Sequence, residues 1–226
     1  MGGSSFSPQP CPYPQSGRPQ GASFKTYAII PVKPLRRAKS RLARTLKAPT
    51  RAALVRSIFS RTLDVIAQVD QIDGVIVISR DLTILELARQ RGTITLMESD
   101  SGLNPAITQA AHWAQAHSAR SVIVIPVDLP LITASDLTEI IDRAVEERCI
   151  VIAPDRHEDG TNVLLVRPPE AIHFSYGTTS FTAHRAQAMA HGLLVHEYRS
   201  PTTAFDIDVP DDLERYRALD SHLLSE

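Results

Sequence analysis

Residues 121–131 read SVIVIPVDLPL, and this stretch decides the fold. Its apolar residues are consecutive rather than alternating, so a strand here is covered on both faces, as in a parallel sheet. It runs out at Pro126 and reaches a carboxylate, Asp128, almost at once. Ligands of open α/β sheets lie beyond the carboxyl ends of the strands, so this segment also marks the edge to search.

The same pattern extends outward in both directions. Toward the N-terminus, YAIIPV (27–32), VIVIS (75–79) and TITLM (93–97) read as strands. Between them lie a helix starting at Thr50, with Val55, Ile58, Phe59, Leu63 and Ile66 at helical spacing, and a second helix near Leu82–Gln90. A third, opened by Asn104 with Pro105 in its first turn, runs to about Ser118. Toward the C-terminus, Thr133 with Asp136 resembles a capping box, and CIVIAP (149–154) follows as a strand. After about residue 153 come shorter strands, TNVLLV and LLVHEYR, around a helix near Ser180–His191. The expected fold is α/β, doubly wound, with a mostly parallel sheet. Residues 1–24, rich in Pro, Gly, Ser and Gln, read as a disordered extension. Residues 25–226 form one domain, with about 154–205 a smaller subdomain or antiparallel edge that completes a substrate site.

Composition excludes several classes. At 226 residues and 43% hydrophobic the chain is neither disordered, collagenous nor a disulfide scaffold. No apolar run approaches the ~18 residues a bilayer crossing needs, and the opening residues lack the apolar core of a signal peptide, so a cytoplasmic protein without membrane association is expected. Cys11, in the tail, and Cys149, at the end of an apparent helix, read as free thiols. The net charge of -1 hides a segregation: residues 1–63 hold twelve Lys or Arg and no acid, leaving twelve basic and twenty-five acidic residues to the rest. That split suits an anionic ligand facing one part and metal ions the other; a solvated basic helix beside an acidic one is the plainer alternative.

Four constellations carry possible chemistry. Asp128 follows a buried strand, where a carboxylate needs a compensating charge such as a divalent metal; the alternative is a helix cap or surface acid. In FDIDVPDDL, Asp206 and Asp208 lie two apart in an extended segment, on one face, where their repulsion calls for a cation such as magnesium. The acidic start of a helix accounts for Asp211 and Asp212 but not for Asp206. Lys33, Arg36, Arg37, Lys39, Arg41 and Arg44 could wrap a polyphosphate, although not all can point inward. Neither a P-loop nor a dinucleotide fingerprint is present. Finally, Asp159-Gly160 marks a turn presenting Thr161 and Asn162, while Gly177 precedes a helix whose early residues include Ser180, a ready site for a small phosphate or carboxylate. The eight histidines show no ligand spacing, and no nucleophile paired with a base emerges at the strand ends.

The series IIPVKPLRRAKSRLA, SGLNPAI, VIPVDLPLI, APDRHEDGTNVLL, YGTTSFTAH and FDIDVPDDL, spread in order from about Tyr27 to Leu219, resembles the guanylyltransferases of coenzyme F-420 biosynthesis. That family's fold is a compact relative of molybdopterin guanylyltransferase. The resemblance implies transfer of GMP from GTP to phosphoenolpyruvate or 2-phospholactate, with release of diphosphate and a requirement for magnesium. It matches the metal carboxylates to Asp128, Asp206 and Asp208, the acceptor-binding residues to Lys33, Thr161, Gly177 and Ser180, and the KSRLA element near the phosphates to Lys39 and Arg41. Asn162 joins the acceptor patch, and Asn104 is the candidate nucleoside contact beside a simple N-capping role. Thr178-Thr179 departs from the Pro followed by Gly or Asp of many relatives.

The expected partners are therefore GTP and a three-carbon phosphate, with phosphoenolpyruvate preferred, 3-phosphoglycerate or 2-phospholactate as alternatives, and a homodimer left open. A nucleotidyltransferase for another small phosphate or phospho-sugar is the second reading. A nucleic-acid-binding module is the third; against it, aromatic residues make up 5% and none is interleaved with the basic loop.

Overall fold

A computed structural model describes residues 25–223; the proposed 1–24 extension, with Cys11, lies outside the described residues. The chain forms β1 (Lys25–Val32), two 3-10 turns (Leu35–Arg37 and Ser40–Arg44), α1 (Ala48–Ile66), β2 (Gly74–Ser79), α2 (Leu82–Gln90), β3 (Ile94–Met97), α3 (Leu103–Ala116) and β4 (Ala119–Val124). It continues with α4 (Ala134–Asp142), β5 (Cys149–Pro154), β6 (Thr161–Arg167), α5 (Ser180–Ala190), β7 (Leu194–Glu197), α6 (Pro201–Ala204) and α7 (Pro210–Leu223).

One seven-stranded sheet, in the order β3-β2-β1-β4-β6-β5-β7, carries the domain. Ile29 of β1 lies opposite Ile76 of β2 and Val124 of β4, all in parallel register. Successive residues face opposite layers. Ala28, Ile30, Val77 and Ile123 pack with α1, α2 and α4, while Ile29, Ile76, Val122 and Val124 pack with α3 and α5. Both faces are covered, which is why the central strands β1, β2, β4, β5 and β6 are built on runs of apolar residues. At roughly 25 cal/mol per Å² of apolar surface removed from water, these two layers supply the bulk of the folding drive.

Several boundaries differ from the sequence reading for local reasons. Helix α1 starts at Ala48, not Thr50, because Pro49 sits in the first turn, where its missing N–H costs nothing. Helix α3 is capped by Gly102, not Asn104, with φ at 131°, a region open to glycine. Cys149 does not close a helix: α4 ends at Asp142 and the buried thiol opens β5. The 154–205 segment is not an antiparallel edge either. Strand β6, buried at every residue, pairs antiparallel with both β4 and β5 inside the sheet, and the outer strand β7 runs parallel to β5. An apolar strand with two hydrophobic faces gains most from neighbours on both sides.

The β5–β6 hairpin turns at the carboxyl edge of the sheet. Asp155 closes it by accepting from the N–H groups of His157, Asp159 and Gly160. A second carboxylate, Asp136, organises the next segment. It completes the capping box with Thr133 and also accepts from the hydroxyls of Tyr198, Ser200 and Thr202. Burial works to raise its pKa, but these hydroxyls outweigh burial and hold it below the ordinary carboxylate value.

A depressed carboxyl pKa stabilises the fold above the unfolded value and ceases to do so as pH falls through the folded one. We therefore expect Asp136→Asn to lose about 1.5–3 kcal/mol in denaturant titrations at pH 7, the scale of a hydrogen bond to a charged group. The gap from the unsubstituted protein should narrow steadily below pH 4; a gap that stays constant down to pH 2.5 would rule out an ionic origin.

Candidate active site

The loop after β1 carries the basic residues across the carboxyl edge in two 3-10 turns. Leu35 N–H donates to Asp81 Oδ2, which pins the first turn to the end of β2. Leu42, from the second, and Leu46, just after it, pack with Ile58 of α1 and with Ile207 and Leu213 in a third, small apolar cluster. That cluster joins the basic loop to the Asp206–Asp208 strap. Ile207 N–H also donates to Asp128 O at 3.0 Å, tying the strap to the segment after β4.

These ties enclose a cavity of about 400 Å³ whose lining includes Lys33, Arg37, Lys39, Arg41, Asp128 and Asp208. Lys33 stands exposed at the end of β1. Arg36 and Arg44 point to solvent and do not line the cavity, so the basic run divides as its length requires. Lys39 adopts a left-handed backbone (φ 49°) and its side chain is only 10% exposed. Its Nζ donates to Ile207 O at 2.6 Å and lies 3.5 Å from Asp128 Oδ2 and 3.4 Å from Asp208 Oδ1. Arg41, largely exposed, meets Asp208 Oδ2 at 3.2 Å.

Asp206 shares this acidic neighbourhood. Burial, then the charges of Asp128 and Asp208, push its pKa up to about 6. Asp128 Oδ1 is buried without a hydrogen-bond partner. Three carboxylates with one orphaned oxygen form a hard donor set of the chemistry a divalent cation requires. Among the described residues, however, no group of three such side chains is gathered closely enough to hold an ion. The positive charge seated between Asp128 and Asp208 is the lysine ammonium.

The expected acceptor patch lies beside this cavity and is largely engaged. Ser180 Oγ accepts from Thr161 N–H at 2.9 Å, and Thr161 Oγ1 meets His184 Nδ1 at 3.1 Å. Asn162 Nδ2 donates to Thr203 O at 2.8 Å, holding α6 just ahead of the strap. Gly177 has φ 144°, and a β-carbon placed there would meet no protein atom within 4 Å. Asn104 does not reach the cavity as a free amide: Oδ1 accepts from Tyr176 N–H at 2.7 Å and Nδ2 donates to Tyr176 O at 3.1 Å, so it clamps the 175–179 loop. His184 is fully buried, its Nε2 accepts from Ser175 N–H, and burial lowers its pKa to about 4. Neutral and bonded at both nitrogens, it is a structural post rather than a base.

Three contributors were not legible as site residues. Arg156 meets the buried Asp212 at 2.6 Å, and its charge acts on Asp206. Asp212 Oδ2 accepts from the Asp208 and Val209 N–H groups, closing the far end of the strap. Tyr176 has a buried hydroxyl without a partner, and burial with the charge of Asp128 raises its pKa. All three stood within quoted motifs, Arg156 in APDRHEDGTNVLL, Tyr176 in YGTTSFTAH and Asp212 in FDIDVPDDL, without a spacing that marked them as site residues.

Comparison with known proteins shows the family and the fold. A family model described as guanylyl transferase CofC-like matches residues 26–216. Phosphoenolpyruvate guanylyltransferase of Sphaerobacter thermophilus is 41% identical, over 84% of this chain and 91% of its own. The protein of the same name from Rubrobacter xylanophilus is 38% identical, over 86% and 95%. A 3-phospho-D-glycerate guanylyltransferase of Colwellia psychrerythraea is 30% identical, over 90% and 96%. Among solved structures, a nucleotidyl transferase from Methanothermobacter thermautotroptrophicus shares the fold at a TM-score of 0.63 and 13% identity, covering 89% of this chain and 99% of that one.

A carboxyl whose pKa is raised on folding adds a penalty that is absent below the unfolded value and complete above the folded one, here about 6. Asp206→Asn should therefore raise the melting temperature of the protein in EDTA at pH 8, on the order of 2–4 °C for each kcal/mol recovered. The gain should fade below pH 5. An unchanged melting temperature at pH 8 would show that the three carboxylates do not repel one another.

Proposed function

The chain belongs to the CofC-like guanylyl transferase family, and from that premise we propose that it transfers GMP from GTP to phosphoenolpyruvate with release of diphosphate. The observation that carries this reading is the cavity itself: Lys33, Arg37, Lys39 and Arg41 line it together with Asp128 and Asp208. Cationic side chains there suit a triphosphate, and the carboxylates suit the divalent ion that accompanies one. The name of the Colwellia relative supports 3-phosphoglycerate as a second acceptor.

In the proposed reaction an oxygen of the acceptor phosphate attacks the α-phosphorus of GTP in line, the bond from α-phosphorus to the bridging oxygen breaks, and diphosphate leaves. The acceptor oxygen is already ionised near neutral pH, so no strong base is needed. That demand agrees with the buried, neutral His184. The enzyme's task is to hold two anions together and to stabilise charge moving onto the leaving group. Lys33, Arg37, Lys39 and Arg41, which line the same cavity, would neutralise phosphate oxygens. Asp128, Asp206 and Asp208, once drawn together, would hold magnesium, which would supply positive charge against the phosphates.

The acceptor is assigned to the edge formed by Thr161, Asn162, Gly177 and Ser180. Ser180 Oγ already accepts from Thr161 N–H, which leaves its proton free to donate. Gly177 permits a ligand to approach the backbone closely. Asn104 positions this loop through Tyr176. No described helix is long and apolar enough to cross a membrane, in keeping with a cytoplasmic location and a role in coenzyme F-420 biosynthesis as the proposed setting.

Diphosphate release from GTP and magnesium should require an acceptor and be faster with phosphoenolpyruvate than with 2-phospholactate or 3-phosphoglycerate; release with none of the three would overturn the assignment. Asp128→Ala should lower kcat by on the order of 100–1000-fold, the scale seen on removing a transition-state stabilising group. Ser180→Ala should reduce acceptor kcat/KM roughly 10–150-fold if its hydroxyl donates to the acceptor's charge, with GTP affinity unchanged by calorimetry. Equal losses for GTP and acceptor would move the acceptor elsewhere.

A further inference from the structure

Lys39 is placed with unusual insistence for a surface-loop lysine. Its backbone is left-handed, a conformation that β-carbon-bearing residues seldom adopt, and this bend turns the side chain inward. The strong bond of the ammonium is the 2.6 Å contact to Ile207 O. Its approaches to Asp128 Oδ2 and Asp208 Oδ1, at 3.5 and 3.4 Å, are longer than the ~2.7–2.9 Å of a charge-assisted hydrogen bond. The ammonium therefore acts as a point charge suspended between two carboxylates, one from the segment after β4 and one from the strap before α7.

We propose that Lys39 is the resident counter-ion of the Asp128–Asp208 pair and competes with a divalent cation for it, so that metal and nucleotide phosphate bind as coupled events. The inference rests on the nucleotidyltransferase reading. Two carboxylates held close on separate segments repel unless a cation or a shared proton offsets their charge, and here the cation is Lys39. Lys39 Nζ lies against Asp128 Oδ2 and Asp208 Oδ1, so a metal ion seated between the same two carboxylates takes the position and the charge compensation of the ammonium. Once displaced, Lys39 faces the cavity it already lines, alongside Lys33, Arg37 and Arg41. A triphosphate there is its next anionic partner. Phosphate thereby draws Lys39 off the carboxylates and raises their affinity for the cation, and the linkage is reciprocal.

The competition is read without turnover. Mn2+ binding to the nucleotide-free protein, followed by electron paramagnetic resonance, should tighten at least tenfold in Lys39→Met, which keeps the stem and removes the charge. Arg41→Met, which removes only the exposed neighbour of Asp208, should change it less than threefold. Diphosphate should strengthen Mn2+ binding in the unsubstituted protein beyond any effect it has in Lys39→Met. A purely structural Lys39 predicts weaker Mn2+ binding in the variant, and equal or weaker binding overturns the proposal. Should Lys39→Met fail to fold, the 15Nζ lysine spectrum of the unsubstituted protein decides. The protected Lys39 ammonium signal, assigned with Lys39→Arg, disappears or shifts on adding Mg2+ if the proposal holds, and an unchanged signal at saturating Mg2+ overturns it. Failure of the functional reading would instead show as absent diphosphate release while the metal competition persists.

Discussion

Like charges gathered at the carboxyl edge of a parallel sheet set the terms for the rest of this molecule. Burial, together with the charges of Asp128 and Asp208, pushes Asp206 up to about 6. Such an arrangement survives only where the backbone is tied down and a positive charge is supplied. The ties are the bond from Ile207 N–H to Asp128 O and the small cluster of Leu42, Leu46, Ile58, Ile207 and Leu213. The charge is Lys39, which reaches the same strap through Ile207 O. Hydrophobic packing and electrostatics thus act on the same residue, Ile207, from opposite directions.

The supports behind the strap are polar and buried. Asp136 gathers Thr133, Tyr198, Ser200 and Thr202, fixing the chain as it enters α6. Asn162 holds the carbonyl of Thr203 within α6, and Asp212, paired with Arg156, takes the two N–H groups that open α7. Each of these carboxylates and amides satisfies several donors or carbonyls at once, which makes its loss costly in a low-dielectric setting. The consequence for function is geometric. Asp206 and Asp208 sit on an irregular segment, yet they are positioned from both ends by buried networks.

Much of the layout was legible because it depends on short-range rules. Unbroken apolar runs identified the central strands, since burial on both faces leaves no polar alternation, whereas the partly exposed outer strands β3 and β7 keep polar residues; Thr133 with Asp136 announced α4 by a local capping geometry. Asp128 was legible as the first acid past a buried strand. The interior position of β6 was not, because an apolar run states that a strand is covered without naming its neighbours. Asn104 read as a nucleoside contact or a cap, whereas its amide spans the fold to clamp Tyr176. Thr161 and Ser180 read as free hydroxyls at a turn and a helix start, and they are bonded to each other's segment.

By itself, then, the amino-acid sequence determined the alternation of strands and helices, the covered sheet, and the family to which the chain belongs, because hydrophobic patterning and ordered motifs are written along the chain. Only the tertiary structure decided which of six basic side chains line the cavity and which cation stands between Asp128 and Asp208. Lys39 and Asp208 are remote in sequence and meet because one small apolar cluster folds the basic loop onto the strap. Electrostatic energy depends on distance through space, and that distance exists only after the chain has packed.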